Sequence, residues 1–211
     1  ATPVESIIKL LTSLNPYIRR GTIITDVGSA KTEIVEYAEK TLNQPNFFVG
    51  SHPLVGSEKK GVDNSSADLF TDSKCIITPT DKTHRGATEK IKKLWTGIGA
   101  KVSVLSPAEH DSILSYTSHL PHLLAFGLMK TVPKDCAPYV SGGLRDTTRI
   151  AASSAQMWND ICMSNSQNVI KALDEYVENL SELRHAIVES DRKKLIQHFT
   201  KAQERRNEFF S

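Results

Sequence analysis

Polar residues in a few short segments of this 211-residue chain have the types and spacing to do chemistry. Thr25-Asp26-Val27-Gly28-Ser29-Ala30-Lys31 sits where a strand gives way to a helix, the edge at which open α/β sheets bind ligands. The Ser29 hydroxyl could cap that helix, with Glu33 completing its first turn, or face a ligand, and the two roles are compatible. Ser51-His52-Pro53-Leu54-Val55-Gly56-Ser57-Glu58 follows the next strand. An imidazole there titrates near neutral pH and can accept a proton from an alcohol as hydride leaves. His52 reads equally well as a histidine that anchors its loop. Ser118-His119-Leu120-Pro121-His122 puts two imidazoles three apart on one helix face. No Cys or carboxylate cluster with ligand spacing accompanies them, which favours a polar pocket wall or a satisfied buried pair over a metal site. In Gly142-Gly143-Leu144-Arg145-Asp146-Thr147-Thr148-Arg149, Asp146 can cap the following helix, and Asp146 and Arg149 are three apart. A guanidinium held that way recognises carboxylates bidentately, although a surface ion pair is the commoner outcome of such spacing.

The elements that must position these residues fall into two halves. Up to Ser106, short β-branched runs alternate with helix-period segments, the pattern of repeated βα units and a largely parallel sheet. Helices are expected over 4–14, 31–42 and 83–97, and strands over 22–26, 47–50, 75–78 and 101–105. From Pro107 the β-branched runs disappear and apolar residues recur at three- and four-residue spacing, predicting helices over 107–130, 147–163, 166–190 and 191–210. The fold class is therefore α/β plus all-α, with 1–106 and 107–211 as the two domains. The G-x-G-x-x-G spacing of a dinucleotide-binding turn does not occur in the chain.

Composition narrows the function classes. With 26 basic and 24 acidic residues the formal charge is +2, which gives no reason to invoke nucleic acid or an anionic membrane. The longest apolar stretch, around Leu120 to Met129, is interrupted by Pro121 and His122 and is too short to span a bilayer. The chain opens without a basic and apolar signal segment. Cys75, Cys136 and Cys162 are odd in number and set among apolar neighbours, which suggests buried, reduced thiols in a cytoplasmic protein.

Taken in order, Ala1-Thr2-Pro3-Val4, Asp26 to Lys31, His52-Pro53 with Gly56 and Glu58, Glu109-His110-Asp111, Ser118 to His122, Gly142-Gly143 through Asp146 and Arg149, and Met157-Trp158 resemble the prephenate/arogenate dehydrogenase family of tyrosine biosynthesis. Any one of these pieces is weak, whereas seven in sequence are specific. The resemblance implies the C-terminal part of a Rossmann-like parallel-sheet domain followed by a helical dimerisation domain. It also implies a homodimer, NAD or NADP as cofactor, and prephenate or arogenate as the small-molecule substrate. It places the Gly-rich turn upstream of Ala1, so the chain by itself is expected to bind the cofactor poorly and to be inactive. By the same resemblance His52 would polarise the substrate C4 hydroxyl, and Ser29 would orient that hydroxyl, His52 and the nicotinamide. Arg149 would bind a substrate carboxylate, and His122 and His119 would line the substrate pocket. Asp146 and Glu58 would position Arg149 or gate the entrance, Thr2, Pro3 and Gly28 would join Ser29 against the cofactor, and Trp158 would support the pocket or the dimer core. Two alternatives remain: another NAD(P)-dependent hydroxy acid dehydrogenase with a helical domain, and a non-catalytic dimerising fragment.

Overall fold

The computed structural model describes residues 4–55, 66 and 68–211. The chain forms two compact units, 1–169 and 170–211. In the first, helix α1 (Val4–Leu14) leads to strand β1 (Ile24–Thr25), helix α2 (Thr32–Thr41) and strand β2 (Phe48–Pro53). Strand β3 (Lys74–Thr78), helix α3 (Arg85–Gly97) and strand β4 (Lys101–Val104) complete the α/β part. The sheet runs β1-β2-β3-β4. The β1–β2 and β3–β4 pairs are parallel, and β2 and β3 are antiparallel, with Pro53 opposite Cys75 and His52 opposite Ile76. The chain thus returns beside the end of β2 that carries His52, a connection that needs no crossover helix.

Alternation along β2 divides the core. Phe48 joins Val4, Ile7 and Leu11 of α1 and Ile34, Val35 and Ala38 of α2. Its neighbour Val49 joins Cys75, Ile77, Ala87, Ile91 and Trp95 on the α3 side. His52, two pleats on from Phe48, therefore shares the sheet face that α2 covers.

The helical part begins with α4 (Pro107–Leu114), where Ser106 and Glu109 form a reciprocal capping box. The single helix expected over 107–130 changes pitch. It widens to a π turn over Ser115–His119 before α5 (Leu120–Thr131), with the Leu120 N–H donating to the Ser115 carbonyl. Pro121 has no N–H to offer the carbonyl one turn back, and this shifts the hydrogen-bond ladder. The expected helix over 147–163 is also divided. Helix α6 (Gly142–Thr148) contains Asp146, a 3-10 turn (Arg149–Ala152) follows, and α7 (Ala155–Ser164) starts after Ser154. Asp146 consequently lies inside a helix instead of capping one. Ser153 and Ser154, extended in backbone conformation, separate the two pieces.

Helix α8 (Ser166–Val188) crosses into the second unit, which continues into α9 (Arg192–Phe210), capped by the Asp191 side chain on the Lys194 N–H. Val177, Leu180, Ile196, Phe199, Phe209 and Phe210 of this unit are exposed. Among the described residues, no helix is long and apolar enough to cross a membrane.

The loop between β1 and α2 is wound around one buried ion pair. Asp26 Oδ2 accepts from Lys31 Nζ and from the Gly28 N–H, at 2.8 Å in the latter case, and Oδ1 accepts from the Ser51 N–H at 3.1 Å. Lys31 Nζ also donates to the Ser51 carbonyl at 2.9 Å. Lys31 is 0% exposed, and burial holds its amine below the ordinary lysine range against the opposing pull of Asp26. Lys31→Met, which strands the Asp26 carboxylate in the interior, is expected to destabilise the chain by about 3–5 kcal/mol. Urea denaturation checks this, and a loss under about 1 kcal/mol would mean that the pair does not hold the loop.

Candidate functional site

Three elements converge at the carboxyl ends of β1 and β2. The β1–α2 loop brings Gly28 and Ser29. A Cβ on Gly28 would stand 2.6 Å from Ile34 Cδ1 and 2.9 Å from Asp26 Oδ2, so the loop closes onto α2 only because this residue has no side chain. Ser29 is half-buried and does not cap α2. The free N–H groups of Lys31 and Thr32 instead donate to Asp111, at 2.8 Å to Oδ1 and 2.8 Å to Oδ2, from 80 and 79 residues away. A carboxylate from α4 thus does what was expected of the serine, leaving the hydroxyl of Ser29 outside the cap.

His52, at the end of β2, is 9% exposed. Its Nδ1 lies 2.9 Å from His110 Nε2, and His110 Nδ1 lies 2.8 Å from Asp111 Oδ1, a continuous buried line from the sheet edge to the start of α2. Desolvation, with the charge of Lys31 acting in the same direction, lowers the His52 pKa to about 2, so the ring is neutral at physiological pH. Burial also disfavours the charged form of Asp111, yet the hydrogen bonds from His110, Thr32 and Lys31 outweigh it and leave its carboxyl below the ordinary value.

His119 is buried in the π turn, its Nδ1 3.2 Å from Asn165 Nδ2, and that amide also donates to the Asp111 carbonyl at 2.8 Å. Burial lowers its pKa to about 4. His122, half-buried in α5, donates from Nδ1 to the Ser118 carbonyl at 3.0 Å and stacks on Trp158 with ring centroids 3.6 Å apart. Trp158 meets His119 edge-on at 6.0 Å, so the indole is a wall shared by both imidazoles. Arg149, exposed on the 3-10 turn beside α5, is close enough for its charge to help hold the His122 pKa down, after desolvation. Asp146 is exposed on α6.

Among the residues singled out from sequence, the structure gathers His52 with His119, and His122 with Arg149 and Trp158. Glu58, Thr2 and Pro3 lie outside the described residues. Sequence spacing gave no role to Lys31, His110, Asp111 or Asn165. Adjacent residues such as His110 and Asp111 point in different directions on a helix, so no pairing rule finds them. Among the described residues, no group of three His, Cys, Asp or Glu side chains is placed to hold a metal. Cys75 is buried, its thiol pushed up to about 12 by desolvation, whereas Cys136 is exposed, contrary to the expectation of three buried thiols.

An open α/β sheet with polar groups at the carboxyl ends of its parallel strands, joined to a helical region that supplies imidazoles and a guanidinium, has the layout of a nucleotide-binding enzyme. Comparison with known proteins narrows the class. The profile of the prephenate dehydrogenase nucleotide-binding domain matches residues 1–104, and that of the prephenate dehydrogenase dimerization domain matches residues 106–201. The chain is 37% identical to prephenate dehydrogenase of Bacillus subtilis, over 98% of this chain and 58% of that protein. It is 35% identical to cyclohexadienyl dehydrogenase of Zymomonas mobilis, over 97% of this chain and 72% of that protein. Among solved structures, prephenate dehydrogenase of Aquifex aeolicus in complex with hydroxyphenyl propionate and NAD+ superposes with a TM-score of 0.91 at 34% identity, covering 99% of this chain and 74% of that one. Arogenate dehydrogenase of Synechocystis superposes with a TM-score of 0.84 at 26% identity, covering 99% and 77%. The chain belongs to the prephenate dehydrogenase family.

The buried neutral imidazoles couple stability to pH. His52 and His119 are held below the value near 6.5 of an unfolded-chain histidine, so below that pH the unfolded state binds protons that the folded state refuses. Stability is fully present above about pH 6.5 and is lost as pH falls, by up to about 1.4 kcal/mol per pH unit for each buried ring. Thermal melts followed by circular dichroism between pH 8 and 5 are expected to show this decline. A melting temperature that stays level across that interval would place both rings in solvent.

Proposed function

We propose that the chain carries the catalytic and substrate-binding groups of a prephenate or arogenate dehydrogenase. The reaction is oxidative decarboxylation, which for prephenate gives 4-hydroxyphenylpyruvate, with hydride passed to NAD or NADP. Its relatives at 35–37% identity and the Aquifex complex with NAD+ support this reading. The observation that carries it is His52, buried at the carboxyl end of β2 and held neutral there by desolvation and the nearby Lys31 charge. A ring that stays unprotonated is the partner an alcohol needs at the moment its carbon gives up hydride.

When bound, the nicotinamide ring supplies the hydride acceptor. Gly28 and Ser29, in the loop that follows β1 at the edge where open α/β sheets bind ligands, are the cofactor neighbours, together with Thr2 and Pro3. His52 accepts the proton of the substrate C4 hydroxyl as the C–H bond breaks, and Ser29 orients the hydroxyl. Arg149 pairs with a substrate carboxylate, His122 and His119 with Trp158 wall the pocket, and the role assigned to Asp146 and Glu58 is to position Arg149 or gate the entrance. Loss of CO2 then restores an aromatic ring. The reading includes a division into 1–106 and 107–211, supported by the two domain matches. It also includes a homodimer, supported by the match to the dimerization domain and the exposed apolar residues of α8 and α9, and a cytoplasmic location, supported by the three free cysteines.

His52→Asn in the active enzyme is expected to lower kcat by roughly 10²-fold or more with little change in KM, because the lost hydrogen bond strengthens in the transition state. In the unaltered enzyme the acidic limb of kcat lies below the ordinary imidazole range, near 6.5, and it disappears from the residual activity of the variant. A variant with near-normal kcat would make His52 a loop anchor.

Arg149→Ala is expected to raise KM for prephenate about tenfold for each 1.4 kcal/mol of lost interaction, with cofactor affinity unchanged. An unaltered KM in steady-state kinetics would move the carboxylate site elsewhere.

A further inference from the structure

The line His52, His110, Asp111 contains two groups for which the proposed reaction has no role so far. With both rings uncharged, proton bookkeeping along it has one solution. Asp111 is a carboxylate that accepts the N–H groups of Lys31 and Thr32, so it can only accept from His110. The proton of His110 therefore sits on Nδ1, pointing at Asp111 Oδ1 at 2.8 Å. In a neutral ring this leaves a lone pair on His110 Nε2, which lies 2.9 Å from His52 Nδ1. A hydrogen bond at that distance requires a proton on His52 Nδ1, and the lone pair of His52 must then be on Nε2. The opposite arrangement would put a proton on His52 Nε2, turning the acceptor into a donor unable to take a proton from an alcohol.

We infer that His110 and Asp111 are positioning residues that fix the tautomer of His52, with Asp111 setting His110 and His110 setting His52, so that Nε2 is presented as the proton acceptor. This rests on the proposed role of His52. In the step itself, the substrate O–H bond breaks and its proton goes to His52 Nε2. The O–H electron pair becomes the second bond of the new carbonyl, while the pair of the adjacent C–H bond leaves as hydride to the oxidised nicotinamide. The imidazolium formed at His52 keeps its Nδ1 proton directed at His110 Nε2, and the Asp111 carboxylate, one ring away, offsets the new positive charge.

The environment makes that second function necessary. The buried Lys31 ammonium opposes positive charge on His52, and the Asp111 carboxylate favours it. The same carboxylate receives the start of α2, whose N-terminal dipole keeps it ionised. Asp111 thus ties the helix that follows the β1–α2 loop to the protonation state of the residue at the end of β2.

Two measurements test the inference. The first is a long-range 15N–1H correlation spectrum of 15N-histidine-labelled, unaltered protein at pH 8, with assignment by His52→Asn and His110→Gln. It is expected to show both rings neutral and protonated at Nδ1. A proton on His52 Nε2 would overturn the proposal without reference to activity. The second compares two substitutions at position 110 in the active enzyme. Glutamine can accept from His52 with its amide oxygen and donate to Asp111 with its amide nitrogen, whereas leucine can do neither. His110→Leu is expected to lose roughly 10²-fold in kcat with KM for substrate nearly constant, and His110→Gln to recover most of that loss. Equal losses in the two variants would make His110 a packing residue and sink the idea. Failure of the underlying reading looks different, because His52→Asn would then retain kcat while the tautomers in the spectrum stay as assigned.

Discussion

The Asp111 carboxylate is the constraint on which the rest of the site depends. Buried at 1% exposure, it closes the N-terminus of α2 through two backbone hydrogen bonds and holds His110 through a third. A charge this far from water is tolerated only when its lone pairs are occupied, and here the donors come from the main chain and from the His110 imidazole. Its own backbone carbonyl accepts from Asn165, which in turn reaches His119. One residue of α4 thereby fixes a helix of the α/β part, two histidines and the start of α8.

A second buried pair does comparable work on the sheet side. Asp26 and Lys31 bracket the loop that carries Gly28 and Ser29, and both bond to Ser51 immediately before His52. The loop that faces the proposed cofactor and the strand end that faces the proposed substrate are consequently parts of one hydrogen-bonded assembly. Breaking either member strands a charge in the interior, whereas the pair together stabilises little relative to an apolar core of the same shape. The value of such a pair lies in the geometry it imposes.

This arrangement explains why histidines dominate the site. An imidazole is the side chain whose two nitrogens can carry opposite hydrogen-bonding roles while the ring stays uncharged, so a line of them transmits orientation without the cost of burying charge at each step. His122 shows the same economy, donating from Nδ1 to a backbone carbonyl while its face is covered by Trp158. The π turn that sets His119 one position back along the ladder allows both His119 and His122 to meet that single indole.

Much of the fold was legible in the chain. Alternation along Phe48-Val49-Gly50 and the apolar spacing of α1, α2 and α3 follow from local periodicity, and so does the change of character after Ser106, where a capping box starts α4. The ordered motifs from Asp26 to Trp158 were enough to point to a family, because they are strings of residue types, which a sequence displays directly. Local rules did less well where a partner came from far away. Ser29 has the residue type of a helix cap, yet Asp111 takes that place from 80 residues on; Asp146 has the type of a cap and lies inside α6. Likewise, neither the direction of β3 beside β2 nor the line from His52 through His110 to Asp111 is visible in spacing. By itself the sequence determined which segments are helix or strand and which residue types are on hand, since those depend on neighbours within a turn or a pleat. The tertiary structure alone decided which carboxylate meets which N–H and which imidazole nitrogen carries the proton, since a hydrogen bond is set by distances of about 3 Å between groups that the chain brings together only on folding.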